Sequence, residues 1–355
     1  MNADAENKSL IGPRWAHFLA TATVVRFFDD GALLVAPDTG TLLSLNRSGA
    51  SIYDALARGC SATEISTALS ERFGIAREQA ERDIRVFLGS EPIGKAEFNP
   101  AAIETSRFRF ARCDIGYVVT RDGRVCLDVD VNGRTLSIAP TIPFPEAREA
   151  ALWVTTKLAI LQGRPILHAS AIRTEGGASI AFAGYSGAGK TSLGHAFAQA
   201  GAHLLGEDSF ELRIPPERGS VALIPFEDRA RRWADDLVRH ARPGRPYPAT
   251  LPATPDDGSA VKLDGIFIVD RERRSGDAFS VRPLGLTAAA AAVTVNLFWA
   301  SINRSACEQG LDWADRVARR VQVAELTAPN GVSALTPAAR DFLQDIWPRQ
   351  KTASY

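Results

Sequence analysis

Residues 184–191 read Gly-Tyr-Ser-Gly-Ala-Gly-Lys-Thr and follow the apolar run Ala178-Ser-Ile-Ala-Phe-Ala183. This is G-x-x-x-x-G-K-[ST] leaving a strand, the phosphate-cradling P-loop pattern. Gly184, Gly187 and Gly189 let the backbone turn its N–H groups inward around phosphate oxygens. Lys190 can reach the outer phosphates, and the Thr191 hydroxyl can ligate Mg²⁺. Residues 192–200 can form a helix whose positive end faces the same anion. The expected nucleotide-binding set is therefore Gly184, Ser186, Gly187, Ala188, Gly189, Lys190, Thr191 and Ser192. Two rivals stand beside it. One is a glycine-rich turn with a solvated lysine. The other is a nucleophile elbow at Ser186 served by His195, His203 or His240, which leaves Gly189-Lys190-Thr191 without a purpose.

Two further groups of residues flank the loop. His168 lies on the strand-like stretch Pro165–Ile172, and Glu175-Gly-Gly177 turns that stretch back toward the P-loop strand. After the loop and its helix comes His203-Leu-Leu-Gly-Glu207-Asp208-Ser-Phe-Glu-Leu-Arg-Ile214, read as a further strand region. A carboxylate there suits Mg²⁺, which takes one or two carboxylates together with phosphate oxygens. His168 also has a plain reading as a core or rim residue, and Glu207 and Asp208 as a strand end.

The elements that must position these groups come next. At 355 residues the chain has room for two or three domains. Its formal net charge is zero, so no global field favours nucleic acid or an anionic membrane. No apolar run approaches a membrane span, and Met1-Asn-Ala-Asp-Ala-Glu is unlike a secretory signal. Cys60, Cys113, Cys126 and Cys307 are scattered without metal-ligand spacing and read as reduced cytoplasmic thiols. Strands are expected at 23–28, 32–36 and 41–45, with turns at Asp29-Asp-Gly31 and Asp38-Thr-Gly40. Helices follow over 48–56, from the capping-box string Ser61-Ala-Thr-Glu64, and over 76–88. Residues 94–106 read as a linker, 108–138 as a small antiparallel sheet, 146–162 as a helix, and 243–258 as a mobile loop or lid.

The strings Leu43-Ser-Leu-Asn46-Arg-Ser-Gly49-Ala-Ser-Ile52-Tyr, Gly59-Cys-Ser-Ala-Thr-Glu-Ile65 and Val86-Phe-Leu88 resemble the PqqD family over about residues 20–95. The resemblance implies a winged-helix domain, a RiPP recognition element that binds a precursor's leader peptide as an added strand. By position, Thr41, Leu42, Leu43, Ser44 and Leu45 would form the receiving edge. Arg77, Arg82 and Arg85 on the last helix could contact an acidic leader. A structural role, or a DNA-reading winged helix, remains as an alternative. Glu78, Glu81 and Asp83 dilute the arginines that DNA reading would need.

His168, the P-loop and Gly201-Ala-His-Leu-Leu-Gly-Glu207-Asp208 are together similar to the catalytic domain of HPr kinase/phosphorylase. That resemblance implies an α/β P-loop kinase fold in which His168 lines the phosphate site and Lys190 and Thr191 hold nucleotide and Mg²⁺. It puts Glu207 where the family has the aspartate that assists proton removal from an acceptor serine, and Asp208 where it has the Mg²⁺-side carboxylate. The chain departs from the family in having glutamate at 207. The glycine-rich segment that engages HPr is also not recognisable after residue 215. Phe226-Glu-Asp-Arg229-Ala-Arg231-Arg232 stands there instead, and its arginines are candidates for acceptor binding or for solvated surface.

The expected architecture is α/β: an N-terminal winged-helix PqqD-like domain (18–95), a linker and small β subdomain (96–145), and an HPr-kinase-like P-loop domain (146–345). The expected function is an ATP- (or other NTP-) and Mg²⁺-dependent kinase. It would phosphorylate a hydroxyl, by family a serine, of a precursor peptide or small protein held by its leader. A nucleotide-binding peptide chaperone and a small-molecule kinase are the alternatives. Neither nucleic acid nor membrane is expected as a partner, a homo-oligomer is left open, and the expected location is cytoplasmic.

Overall fold

The computed structural model describes residues 13–20, 23–89, 96–97, 108–217, 219–251, 260–274, 276, 278–300, 303–329 and 331–346. Most of the expected 94–106 linker and the second half of the expected 243–258 loop lie outside the described residues. The chain divides into two compact units. The first holds residues 1–100, 285–291 and 301–312, and the second holds the remainder.

In the first unit, helix α1 (Pro13–Ala20) precedes strands β1 (Val24–Phe28), β2 (Gly31–Ala36) and β3 (Thr41–Asn46), then helices α2 (Arg47–Ala57), α3 (Ala62–Phe73) and α4 (Arg77–Gly89), and a short β4 (Ala96–Glu97). The sheet runs β1-β2-β3-β4, antiparallel throughout. Turn residues placed where the chain reverses allow this meander, and every residue of β2 is buried between its neighbours. Local signals set the helix starts. The Asn46 side chain accepts from Gly49 N at 2.9 Å, and Ser61 and Glu64 close the expected capping box. Gly74 ends α3 in the left-handed conformation. Helix α1 carries no strong sequence signal. It docks through Trp15, whose ring stacks on Phe87 at 4.1 Å and whose Nε1 donates to the Phe87 carbonyl at 2.8 Å. Asp30 accepts from the Thr287 N–H and hydroxyl, which ties residues 285–291 to this unit.

The second unit opens with β5 (Phe108–Cys113), β6 (Gly116–Arg121), β7 (Arg124–Asp130) and β8 (Thr135–Ile138), an antiparallel meander. Helix α5 (Phe144–Leu161) follows. Then come β9 (Ile166–Arg173), β10 (Ser179–Ala183), α6 (Lys190–Gln199), β11 (His203–Gly206), β12 (Ser209–Arg213), β13 (Ala222–Pro225) and α7 (Glu227–His240). The chain continues through β14 (Tyr247–Pro248), β15 (Val261–Lys262), β16 (Gly265–Arg274), β17 (Ser280–Pro283), α8 (Leu286–Asn296), α9 (Arg304–Ala318), β18 (Gln322–Ala328) and α10 (Val332–Asp341), ending in a π-helical turn at Phe342–Ile346.

The large sheet is mixed, in the order β15-β13-β12-β9-β10-β16-β18-β17, with β11 also on β9. Strand β10 is parallel to β16 and antiparallel to β9. Phe182, Phe197, Phe267, Phe279 and Phe342 pack together beneath α6, with ring centroids 4.9–5.7 Å apart along the contacts 182–197, 197–279, 197–342, 267–342 and 279–342. This apolar layer holds the loop's strand and helix as one body. One expectation is corrected. The start of the 243–258 segment is no free lid: Tyr247 and Pro248 pair with Leu136 and Thr135 as a fifth strand of the meander, and Ala249 and Leu251 are buried.

Candidate functional site

The loop after β10 starts at a close approach between two strands. A Cβ on Gly184 would lie 2.7 Å from the Val269 carbonyl of the neighbouring parallel strand, so only glycine lets the chain leave the sheet there. Gly189, at φ +101°, caps α6. No side chain caps this terminus, so the N–H groups of the first turn point out of the helix end. Tyr185, Ser186, Gly187, Thr191 and Ser192 are exposed on the rim, Ala188 is half-buried, and Lys190 is buried beneath them. The Lys190 Nζ donates to the Gly184 carbonyl at 2.9 Å and the Tyr185 carbonyl at 3.1 Å. Burial lowers its pKa, and the Asp208 carboxylate opposes that shift.

The expected strand over 203–214 is interrupted at the two carboxylates. Strands β11 and β12 both pair with β9, and Glu207 and Asp208 form the break between them. Ser209 N donates to the Glu207 carbonyl at 2.8 Å across Asp208, which sits at φ +66°. This is a γ-turn, strained for a residue with a Cβ, and such strain persists only where the surroundings over-determine it. The turn sends the two side chains to different partners. Asp208 Oδ1 lies 3.5 Å from His168 Nε2, and Glu207 Oε1 lies 2.7 Å from His195 Nε2.

His168 reaches Asp208 because it sits opposite Ser209 in the β9–β12 ladder. Its ring packs on Phe298 at 5.2 Å, and Phe298 N donates to the Ile166 carbonyl. The Asp208 pKa is lowered, first by its hydrogen bond to His168, against burial, with His168 and Lys190 charge adding to the effect. Lys190, Asp208 and His168 thus form one electrostatic group from three elements. The sequence offers His195 only as a possible base for a nucleophile elbow, and neither its pairing with Glu207 nor that of Phe298 with His168 carries a local signal, because both contacts arise from packing.

A third group lies further along β12. Glu211 is buried and accepts from Arg164 at 3.0 and 2.5 Å and from Arg229 at 2.8 Å. Burial alone would raise its pKa, but the two guanidiniums outweigh that and hold it low. Arg229, a candidate acceptor contact, is therefore engaged in a buried ion triad, and Arg231 pairs with Glu227 along α7.

The Mg²⁺ reading can be tested on the donor set. Among the described residues no three His, Cys, Asp or Glu side chains converge as a metal cluster. A Thr191 hydroxyl and one ionised carboxylate at Asp208 are the hard oxygen donors that Mg²⁺ uses alongside substrate phosphates, so the residues fit that ion.

In the first unit, the outer edge of β3 is shared. Thr41 pairs with Glu97 and Leu42 with Ala96, while beyond them Leu43, Ser44 and Leu45 have no further strand partner on that side among the described residues. Arg77 pairs with Glu81, Arg82 donates to Gln79, and Arg85 donates to the Glu81 carbonyl, all on the exposed face of α4.

Residues 31–90 match the family model of coenzyme PQQ synthesis protein D (PqqD). The match spans β2, β3 and all three helices that follow, so the N-terminal resemblance is borne out over that stretch. No curated protein matches the chain. No helix among the described residues is long and apolar enough to cross a membrane.

Proposed function

We propose that the chain is a Mg²⁺- and ATP-dependent phosphotransferase, related to HPr kinase in its second unit. It acts on a serine hydroxyl of a ribosomally made precursor peptide whose leader is held by the PqqD-like unit. The observation that carries this reading is the convergence of Lys190, Asp208 and His168 at the mouth of a P-loop, with Asp208 in a strained γ-turn. The PqqD match supports a peptide acceptor. Leader binding by strand addition would raise the acceptor's effective concentration near the phosphate site.

In this reading the first-turn N–H groups of α6 and the Lys190 ammonium hold the β- and γ-phosphates. Thr191 and Asp208 would hold Mg²⁺, which supplies positive charge against the phosphate oxygens. The acceptor oxygen bonds to the γ-phosphorus as the bond from that phosphorus to the β–γ bridging oxygen breaks. The bond's electron pair leaves with ADP, and the hydroxyl proton passes to Glu207. His168, fixed by Asp208 and Phe298, lines the site.

The test is incubation of the full chain with Mg-ATP and candidate precursor peptides, read by intact mass. A gain of about 80 Da, the mass of one phosphoryl group, lost in Lys190→Ala, supports the reading. Tight Mg-ATP binding with no transfer to any peptide would favour a nucleotide-gated peptide chaperone instead.

A further inference from the structure

We propose that His195 is the positioning residue for Glu207, holding one oxygen of that carboxylate so that the other is aimed at the acceptor hydroxyl. The inference rests on the phosphotransfer reading above. Its first support is the contact itself, 2.7 Å from His195 Nε2 to Glu207 Oε1, the length of a charge-assisted hydrogen bond. Its second is how α6 comes to deliver that imidazole. A Cβ on Gly194 would lie 2.3 Å from Ser170 Oγ on β9 and 3.1 Å from Leu204 on β11. The absent side chain lets the helix lie directly on these strands, which brings the next residue over the end of β11.

The third support is the γ-turn at Asp208. It parts two successive carboxylates, so that each is met by a histidine from a different element: Asp208 by His168 of β9, and Glu207 by His195 of α6. Glutamate has one more rotatable bond than aspartate between backbone and carboxylate. A proton acceptor must be held within hydrogen-bond reach of its donor, and a site left loose by one side-chain torsion loses rate. His195 removes that freedom. A stabilising role alone would be slight, because its side chain is 58% exposed and Glu207's is 30% exposed, and exposed pairs contribute little.

The experiment uses the full chain with Mg-ATP as the probe. It follows ADP release with water as acceptor, and binding of a fluorescent ATP analogue. His195→Ala should lower kcat by about tenfold or more, with the Mg-ATP Kd and the thermal midpoint close to wild type. His195→Gln, whose amide can still donate to Glu207, should recover most of the rate. Glu207→Gln should match the loss, and the His195→Ala/Glu207→Gln double variant should fall no further, as residues acting as a unit do. An unchanged kcat in His195→Ala, or full additivity in the double variant, overturns the inference while leaving the phosphotransfer reading standing. A wild-type chain that fails to bind Mg-ATP overturns both.

Discussion

His168 and Asp208, forty positions apart, meet at 3.5 Å because one stands on β9 and the other at the turn into β12. The contact joins β9, the neighbour of the strand that leads into residues 184–191, to the carboxylate that follows them. Asp208→Asn removes the negative charge that faces Lys190, and His168→Ala removes the hydrogen bond that does most to lower the Asp208 pKa. Each should cut phosphoryl transfer by about 10²-fold or more, in line with the loss of a group that stabilises transition-state charge. Initial-rate measurement of ADP release at saturating Mg-ATP checks this, with far-UV dichroism as the control for folding.

The Arg164–Glu211–Arg229 triad should govern acid stability. Glu211→Gln leaves two guanidiniums in a buried site and should cost about 3–5 kcal/mol. Because the folded carboxyl is held low, its contribution is present above its unfolded value and is lost as pH falls through the folded one. Urea midpoints of wild type and Glu211→Gln should therefore converge as pH falls through the lowered folded pKa of Glu211.

Lys157 is a buried charge that costs stability where Glu211 adds it, although both contributions favour higher pH. It is 4% exposed, with its ammonium 4.0 Å from the Trp153 ring, and burial lowers its pKa to about 8. Between pH 8 and its unfolded value the unfolded chain holds the extra proton, so stability rises with pH across that window. The penalty below pH 8 is roughly 3 kcal/mol by the free energy of such a shift. Lys157→Met should be more stable than wild type at pH 7 and lose the advantage near pH 10, as read by thermal melts at both pH values.

Gly194 and Ser170 should couple. Gly194→Ala adds a methyl 2.3 Å from a buried hydroxyl and should destabilise by about 1–3 kcal/mol as overpacking. In a Ser170→Ala background the 2.3 Å contact is gone and only the mobile end of Leu204, at 3.1 Å, must give, so the same change should cost much less, offset in part by helix propensity. A double-mutant cycle by urea denaturation that found plain additivity would show that α6 adjusts without cost.

Much of this protein is legible in its sequence. The glycine and lysine spacing of 184–191 announces a tight turn between a strand and a helix, because backbone conformation there is a local property. The capping box at Ser61 and Glu64 and the Asp-Gly and Thr-Gly turns are local in the same sense, and the PqqD resemblance rides on them. Helix α1 was not legible, since its docking depends on Trp15 finding Phe87, seventy-two residues away. The pairing of Tyr247 and Pro248 with β8 was hidden in a proline-rich stretch for the same reason.

By itself, then, the sequence determined the loop's backbone chemistry, the periodicity of its flanking elements and the presence of two carboxylates after it. Only the tertiary structure decided that the two carboxylates part company, Asp208 toward His168 and Lys190 and Glu207 toward His195. Pattern and propensity act over a few residues, whereas side-chain partners are chosen by strand register and by how closely a helix can lie on a sheet. At this site the register of β9 against β12 and the missing side chain of Gly194 make both choices.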